Sequence, residues 1–231
     1  MTGGSAIVTL KSHLLTMNFP TTTSSTADLS PQLSQTLPIV ELFHSIQGEG
    51  SWAGTNAFFI RLAGCDVGCP WCDTKHSWNP KRHSQHTVGQ LIAAAQTANP
   101  SIVVITGGEP LMHDLTILTQ QLRQVGLSVH IETSGAHPFS GTFDWVTLSP
   151  KRFKPPHLSV YPQASELKVV VTDETDLAWA EQQSALVDST VERRLQPEWE
   201  TAGSQQMVFD YVLKNPQWRV SLQTHKFLGV Q

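Results

Sequence analysis

From Pro38 onward, short apolar runs alternate with longer stretches in which apolar residues recur every three or four positions. Ile39-Val40-Glu41-Leu42-Phe43 reads as a strand and Ala57-Phe58-Phe59-Ile60-Arg61-Leu62 as a second. Residues 87–99 put Val88, Leu91, Ile92 and Ala95 on one helical face, and the run Ile102-Val103-Val104-Ile105 has the pattern of a strand buried on both sides of a parallel sheet. The alternation continues through a helix at 114–125 and strands at 129–131, 145–148 and 167–171. A helix at 174–186, a strand at 191–195, a helix at 205–214 and a strand at 218–222 complete it. Repeated β/α units predict an α/β fold. A complete eight-unit barrel takes about 250 residues, more than the chain offers after Pro38, so the expected architecture is an incomplete (partial) β/α barrel.

Residues 1–37 follow another pattern. They hold fourteen Ser or Thr, only Lys11 and Asp28 as charges, and no sustained apolar period. That composition predicts a disordered extension before a single catalytic domain at 38–231. The stretch from Ala6 to Leu15 is broken by Lys11, Ser12 and His13 and does not read as a signal peptide, and Met17 is an alternative start. The Ser/Thr richness also fits a transit peptide, against which stands the absence of any Arg in the segment.

Composition narrows the partners. A formal net charge of -4, from 15 basic and 19 acidic residues, supplies no overall field for nucleic-acid phosphates. No apolar run approaches the roughly 18 residues of a membrane span. The expectation is a cytoplasmic protein that binds neither nucleic acid nor membrane.

All three cysteines lie in one stretch, Gly64-Cys65-Asp66-Val67-Gly68-Cys69-Pro70-Trp71-Cys72-Asp73-Thr74, at the end of the second predicted strand. The spacing C-x3-C-x2-C lets one metal centre gather three thiolates while the rest of the chain has no fourth. Iron–sulfur clusters are usually closed by four cysteines, so three point to a cluster with one iron open to a ligand. A Cys3His zinc site completed by His76 is the alternative on spacing alone. The cysteine pattern resembles that of the radical S-adenosylmethionine (SAM) enzymes, in which the open iron is chelated by the methionine part of SAM.

Other unusual tetrapeptides fall after strands, where a β/α barrel carries its working loops. Thr106-Gly107-Gly108-Glu109-Pro110 offers backbone carbonyls and the Glu109 carboxylate to an ammonium group such as that of SAM, with no Cβ to obstruct approach. Ser149-Pro150-Lys151 adds a hydroxyl and a cation suited to ribose and carboxylate oxygens, and Trp71 an aromatic face. Arg61 interrupts an apolar run and needs either a structural ion pair or an anionic ligand. Both readings stand at this point.

Taken together, Ser45-Ile46-Gln47-Gly48-Glu49-Gly50, Phe59-Ile60-Arg61-Leu62, Cys69-Pro70-Trp71-Cys72-Asp73-Thr74, Thr106 to Pro110, Ile131-Glu132-Thr133-Ser134-Gly135, Ser149-Pro150-Lys151, Leu195-Gln196-Pro197 and Gln223-Thr224-His225-Lys226 resemble the 7-carboxy-7-deazaguanine synthase family. The resemblance implies a homodimeric lyase that uses a [4Fe-4S] cluster, SAM and Mg2+. It also implies conversion of 6-carboxy-5,6,7,8-tetrahydropterin to 7-carboxy-7-deazaguanine with loss of ammonia, on the way to queuosine and related deazapurines, and an external donor such as flavodoxin or ferredoxin. Carried over by motif, Cys65, Cys69 and Cys72 hold the cluster. Trp71, Cys72, Asp73, Gly108, Ser149, Pro150, Lys151, Gln196, Pro197, Glu198 and Trp199 touch SAM. Ile46, Gln47, Gly48, Arg61 and Thr106 meet the substrate, and Thr74 holds Mg2+. On residue type alone, Thr74 and Asp73 satisfy backbone amides in the turn. A radical SAM activating enzyme that acts on a partner protein and a zinc-bound interaction module are the competing functions.

Overall fold

A computed structural model describes residues 29–230. The expectations placed on residues 1–28, Met17 among them, lie outside the described residues. The start expected at Pro38 falls inside strand β1 (Thr36–Ile46), which a short helix α1 (Leu29–Leu33) precedes, so the folded part reaches further back than composition suggested. Leu33 and Leu37 both pack on the main core.

The remaining elements are strand β2 (Asn56–Leu62), β3 (Ser84–Thr87), helix α2 (Val88–Ala98), β4 (Ile102–Gly107), α3 (Thr116–Gln124), β5 (Val129–Thr133), β6 (Trp145–Leu148), β7 (Glu166–Val171), α4 (Glu174–Ser184), β8 (Glu192–Pro197), α5 (Ser204–Lys214), β9 (Arg219–Val220) and α6 (Thr224–Leu228). The nine strands form one sheet in the order β3-β1-β2-β4-β5-β6-β7-β8-β9, parallel from β2 to β9. β1 pairs antiparallel with both β2 and β3. The sheet does not close, and β3 and β9 are its edges, in keeping with a partial barrel.

Residue alternation decides what each face holds. Ile60, Leu62, Ile105, Ile131, Leu148, Leu167, Val169 and Leu195 join one apolar core with Val88, Leu91 and Ala95 of α2, Leu118 and Leu122 of α3, Ala180 of α4 and Val208 of α5. Their strand neighbours face the other way. Arg61 is in register with Thr106, Glu132 with Thr147, Thr147 with Glu166, and Val170 with Gln196. The concave face is therefore polar along its upper rows, over a small apolar floor of Ala57, Phe59, Ile102 and Val104. Helix α2 is bounded by a Thr87–Gln90 capping box and by Asn99 in the left-handed conformation.

Candidate active site

The parallel strands end on one side, and the loops that follow them border a cavity of about 420 Å³, within the usual range for small-molecule sites. Cys65, Cys69 and Cys72 all line it. Cys69 is 9% exposed and the other two are half-buried. Burial pushes the Cys65 and Cys69 thiols up, and backbone amides of Val67 and Gly68 work against this at Cys65. A bound metal centre reverses the burial effect by taking the thiolate directly.

The cysteine loop is held from behind by backbone. The Gly64 and Cys65 amides donate to the carbonyls of Ser77 and Trp78 at 2.7 and 3.2 Å, and the Glu109 amide donates to Gly64 at 2.7 Å. A Cβ on Gly108 would overlap the Gly64 carbonyl and crowd Cys65. That glycine is required for contact between the two loops, whatever ligand approaches it. Glu109 corrects the sequence reading. It is fully buried, and its oxygens accept from the Leu111 amide at 2.9 Å, Thr133 Oγ1 at 2.5 Å, the Ser134 amide at 2.8 Å and Ser134 Oγ. It therefore ties the loop after β4 to the loop after β5 and has no capacity left for an ammonium group. Gly107 and Gly108 themselves border the cavity.

All the other residues assigned from motifs border the cavity, with the exception of Pro150. Pro150 is buried behind Ser149 and Lys151, which face inward. Lys151 Nζ donates to Ser149 O and Oγ at 2.6 Å and lies 5.5 Å from the centre of the Trp71 ring. Burial lowers its pKa to about 8. Arg61 makes the ion pair of its structural reading and also borders the cavity. Nε pairs with Glu41 at 2.6 Å and the guanidinium sits over the Phe43 ring, while the side chain also lines the cavity. Thr74 makes no side-chain cap. Its hydroxyl lies 3.5 Å from Cys72 Sγ instead, so it is not spent on turn amides.

A charged network under the cavity was not singled out from sequence. Lys168, 5% exposed, pairs with Glu49 and lies 3.9 Å from Glu132. Glu132 accepts from Gln47 Nε2 at 3.0 Å and Thr106 Oγ1 at 3.2 Å, and Glu49 accepts from Gln223 at 2.7 Å. Burial alone would lower Lys168, but Glu49, Glu132 and Glu166 hold it above the usual lysine range. The placement of Thr106, Glu132 and Lys168 beside buried apolar neighbours of their strands was the available signal.

The far wall comes from the C-terminus. His225 and Lys226 of α6 enter the cavity, and Thr224 donates to Gly48 O from its amide at 2.8 Å and its hydroxyl at 2.9 Å. A Cβ on Gly48 would overlap the His225 ring. Lys226 stands 3.7 Å from Asp73 and over the Trp199 ring.

The zinc alternative finds no support here. His76 is exposed on a 3-10 turn, and among the described residues no group of three or more His, Cys, Asp or Glu side chains is arranged to hold a single ion. A four-iron cluster spreads its three thiolates over separate irons and does not need them on one atom. Three thiols around a deep cavity, with glycine-lined space beside them, fit the larger group.

The sequence model of the radical SAM superfamily matches residues 59–157. A 7-carboxy-7-deazaguanine synthase from Synechocystis sp. is 53% identical over 207 residues, covering 90% of this chain and 100% of the relative. One from Flavobacterium psychrophilum is 47% identical, covering 87% and 96%, and one from Escherichia coli K12 is 34% identical, covering 84% and 98%. Among solved structures, the crystal structure of QueE from Escherichia coli matches with a TM-score of 0.76 at 36% identity, covering 87% of this chain and 100% of that one.

Proposed function

Since this chain belongs to the 7-carboxy-7-deazaguanine synthases of the radical SAM superfamily, we propose that it converts 6-carboxy-5,6,7,8-tetrahydropterin to 7-carboxy-7-deazaguanine with loss of ammonia, in queuosine and 7-deazapurine biosynthesis. The observation that carries the reading is the convergence of all three thiols on a cavity whose opposite wall is polar. When bound, the cluster and SAM supply the one-electron cleavage and the radical that takes hydrogen from substrate. The protein's residues bind, orient and enclose.

Cys65, Cys69 and Cys72 hold the cluster. Trp71, Asp73, Gly108, Ser149, Lys151 and the stretch from Gln196 to Trp199 surround SAM, with the buried Lys151 ammonium toward its carboxylate and ribose oxygens. On the polar wall Glu132, fixed by Gln47 and Thr106, is an acceptor for N–H groups of a pterin edge, beside Ile46 and Gly48. The α6 latch shields that region from water, which protects a radical from side reactions. The test is anaerobic turnover of the tetrahydropterin with reductant and SAM. Release of ammonia with the deazaguanine product is expected, and SAM cleavage without either would overturn the assignment.

Arg61 is assigned to the substrate carboxylate through the part of its guanidinium not used by Glu41. Arg61→Ala is expected to raise the substrate KM by about tenfold to a hundredfold, the worth of one charge-assisted hydrogen bond, with little change in the SAM KM. Equal changes in both would make it structural only.

Mg2+ is assigned to Thr74, whose hydroxyl is free of the backbone. Magnesium keeps few protein ligands and takes its other oxygens from substrate and water. Turnover of the native protein should rise with Mg2+, and Thr74→Ala should lose most of that rise while still cleaving SAM. Native rates equal with the ion and with chelator would return Thr74 to a turn residue.

The same reading includes a cytoplasmic homodimer with a flavodoxin or ferredoxin as donor. Residues 29–230 are assigned to one catalytic domain. Phe209 and Leu213, one turn apart on α5 and 53% and 69% exposed, support a second copy as partner. No helix among the described residues is long and apolar enough to cross a membrane.

A further inference from the structure

The three cysteine sulfurs differ in what stands beside them. Backbone amides of Val67 and Gly68 act on Cys65, and the Lys151 charge with the residue's own amide acts on Cys69. At Cys72 the neighbour is a side-chain hydroxyl, Thr74 Oγ1, 3.5 Å from Sγ. A thiolate that holds iron carries no proton, so in the loaded protein the hydroxyl is the donor of that bond.

Backbone fixes Thr74 in this place. Its carbonyl accepts from the Ser77 amide at 2.8 Å, and the Ser77 carbonyl accepts from the Gly64 amide at 2.7 Å, so the stretch from 64 to 77 closes on itself. Ser77 is fully buried. The 3-10 turn that follows, Lys75–Ser77, takes no side-chain cap, which leaves the Thr74 hydroxyl to Cys72. A hydroxyl has one hydrogen and two lone pairs. Donation to Cys72 uses the hydrogen alone, and because Thr74 borders the cavity its lone pairs remain for a ligand there.

We propose that Thr74 couples substrate and Mg2+ occupancy to the electron affinity of the iron–sulfur centre, because a cation on its oxygen strengthens the hydrogen bond that its hydroxyl donates to Cys72. The inference rests on the radical SAM reading and on the assignment of Mg2+ to Thr74, and adds a link between that ion and the electron-accepting group. Hydrogen bonds to the sulfurs of such a centre help to set its potential, since they favour the state with the extra negative charge. A metal ion on an oxygen makes its proton a stronger donor, as the acidity of metal-bound water shows. One electron enters from an external one-electron reductant and stays on the iron–sulfur centre. The Thr74 proton stays on its oxygen, and no covalent bond is made or broken. The effect is reciprocal: whatever substrate and Mg2+ add to the affinity for the electron, the electron adds to the affinity for substrate and Mg2+. Reduction is then favoured once substrate is in place, which limits SAM cleavage in an empty site.

The test is an anaerobic redox titration of the reconstituted protein, followed by visible absorption and run without SAM, so that nothing turns over. Without Mg2+, Thr74→Val is expected to disfavour reduction by about tenfold, a midpoint about 59 mV lower for a one-electron couple, while Thr74→Ser keeps the native midpoint. Thr74→Ala should match Thr74→Val and covers the case in which the branched replacement loads poorly. Addition of Mg2+ with 7-carboxy-7-deazaguanine, which presents a carboxylate and does not react, should raise the native and Thr74→Ser midpoints by a similar amount and leave both hydroxyl-free variants unmoved. Native midpoints in Thr74→Val and Thr74→Ala, or an equal rise on addition in these variants and the native protein, would overturn the proposal. A native midpoint unmoved by the addition would overturn it too, and Mg2+-stimulated turnover separates that failure from failure of the Mg2+ assignment. Reconstituted protein without a four-iron spectrum would instead overturn the radical SAM reading.

Discussion

Cys69→Ala protein, reconstituted anaerobically with iron and sulfide, is expected to hold no stable four-iron cluster and to lose SAM cleavage by more than about a hundredfold, beyond what loss of a merely supporting residue costs. Cys69 is the most buried of the three cysteines, and all three lie within eight residues of one loop. The chain contains no further cysteine that could migrate into the gap. Backbone bonds from Ser77, Trp78 and Glu109 hold the loop start independently of the Cys69 side chain, so the variant should still fold. The check is iron and sulfide content with the visible spectrum, alongside circular dichroism. A native cluster content in Cys69→Ala would mean that the loop is not the cluster's seat.

The second large effect is on stability. Lys168→Met should cost roughly 3–5 kcal/mol and lower Tm by roughly 10 °C, because it strips the countercharge from buried carboxylates. In the native protein burial would raise Glu49, yet Lys168 beside it, helped by the Gln223 hydrogen bond, brings it from 4.5 to about 2. A depressed carboxylate stabilises fully above its unfolded value, and that share is lost as pH falls from about 4.5 toward 2. Without Lys168 the largest influence that lowers Glu49 is gone, so the carboxyl titrates higher than in the native protein and the variant gains less stability from its ionisation as pH rises. The Tm gap between the two proteins should therefore be narrower near about pH 4 than near about pH 8. A gap that does not change with pH would mean that Lys168 acts by packing rather than charge.

What could be read in advance depended on range along the chain. The cysteine loop and the loops after β4, β5 and β6 announce themselves in contiguous residues, because glycine, proline and thiol spacing carry their meaning locally. The parallel strands were legible from apolar runs, and α2 from the apolar face of Val88, Leu91, Ile92 and Ala95. Strand direction was not, since Ile39 to Phe43 carries the same alternation whichever way it pairs, and it pairs antiparallel with β2. Strand β3, Ser84 to Thr87, and the five-residue α6 are too short and too polar for a periodic signal. The buried network was hidden by distance. Lys168 and Glu49 are 119 positions apart, and Gln47 and Glu132 are 85 apart. Glu109 shows the opposite failure: a carboxylate in a glycine-rich loop looked like a ligand, and its burial against Thr133 and Ser134 makes it a brace.

The bond from Thr224 to Gly48 joins residues 176 positions apart. Contacts of such separation come late in folding, because the chain between them must be ordered before they are rewarded. The partial barrel and its cysteine loop are complete without that bond, whereas the wall that His225 and Lys226 supply is not. During biogenesis the rim is thus expected to stay unsealed on the α6 side until the last step. The three thiols then stand in a shaped but open half-barrel, and closing of the tail supplies the last wall of the cavity.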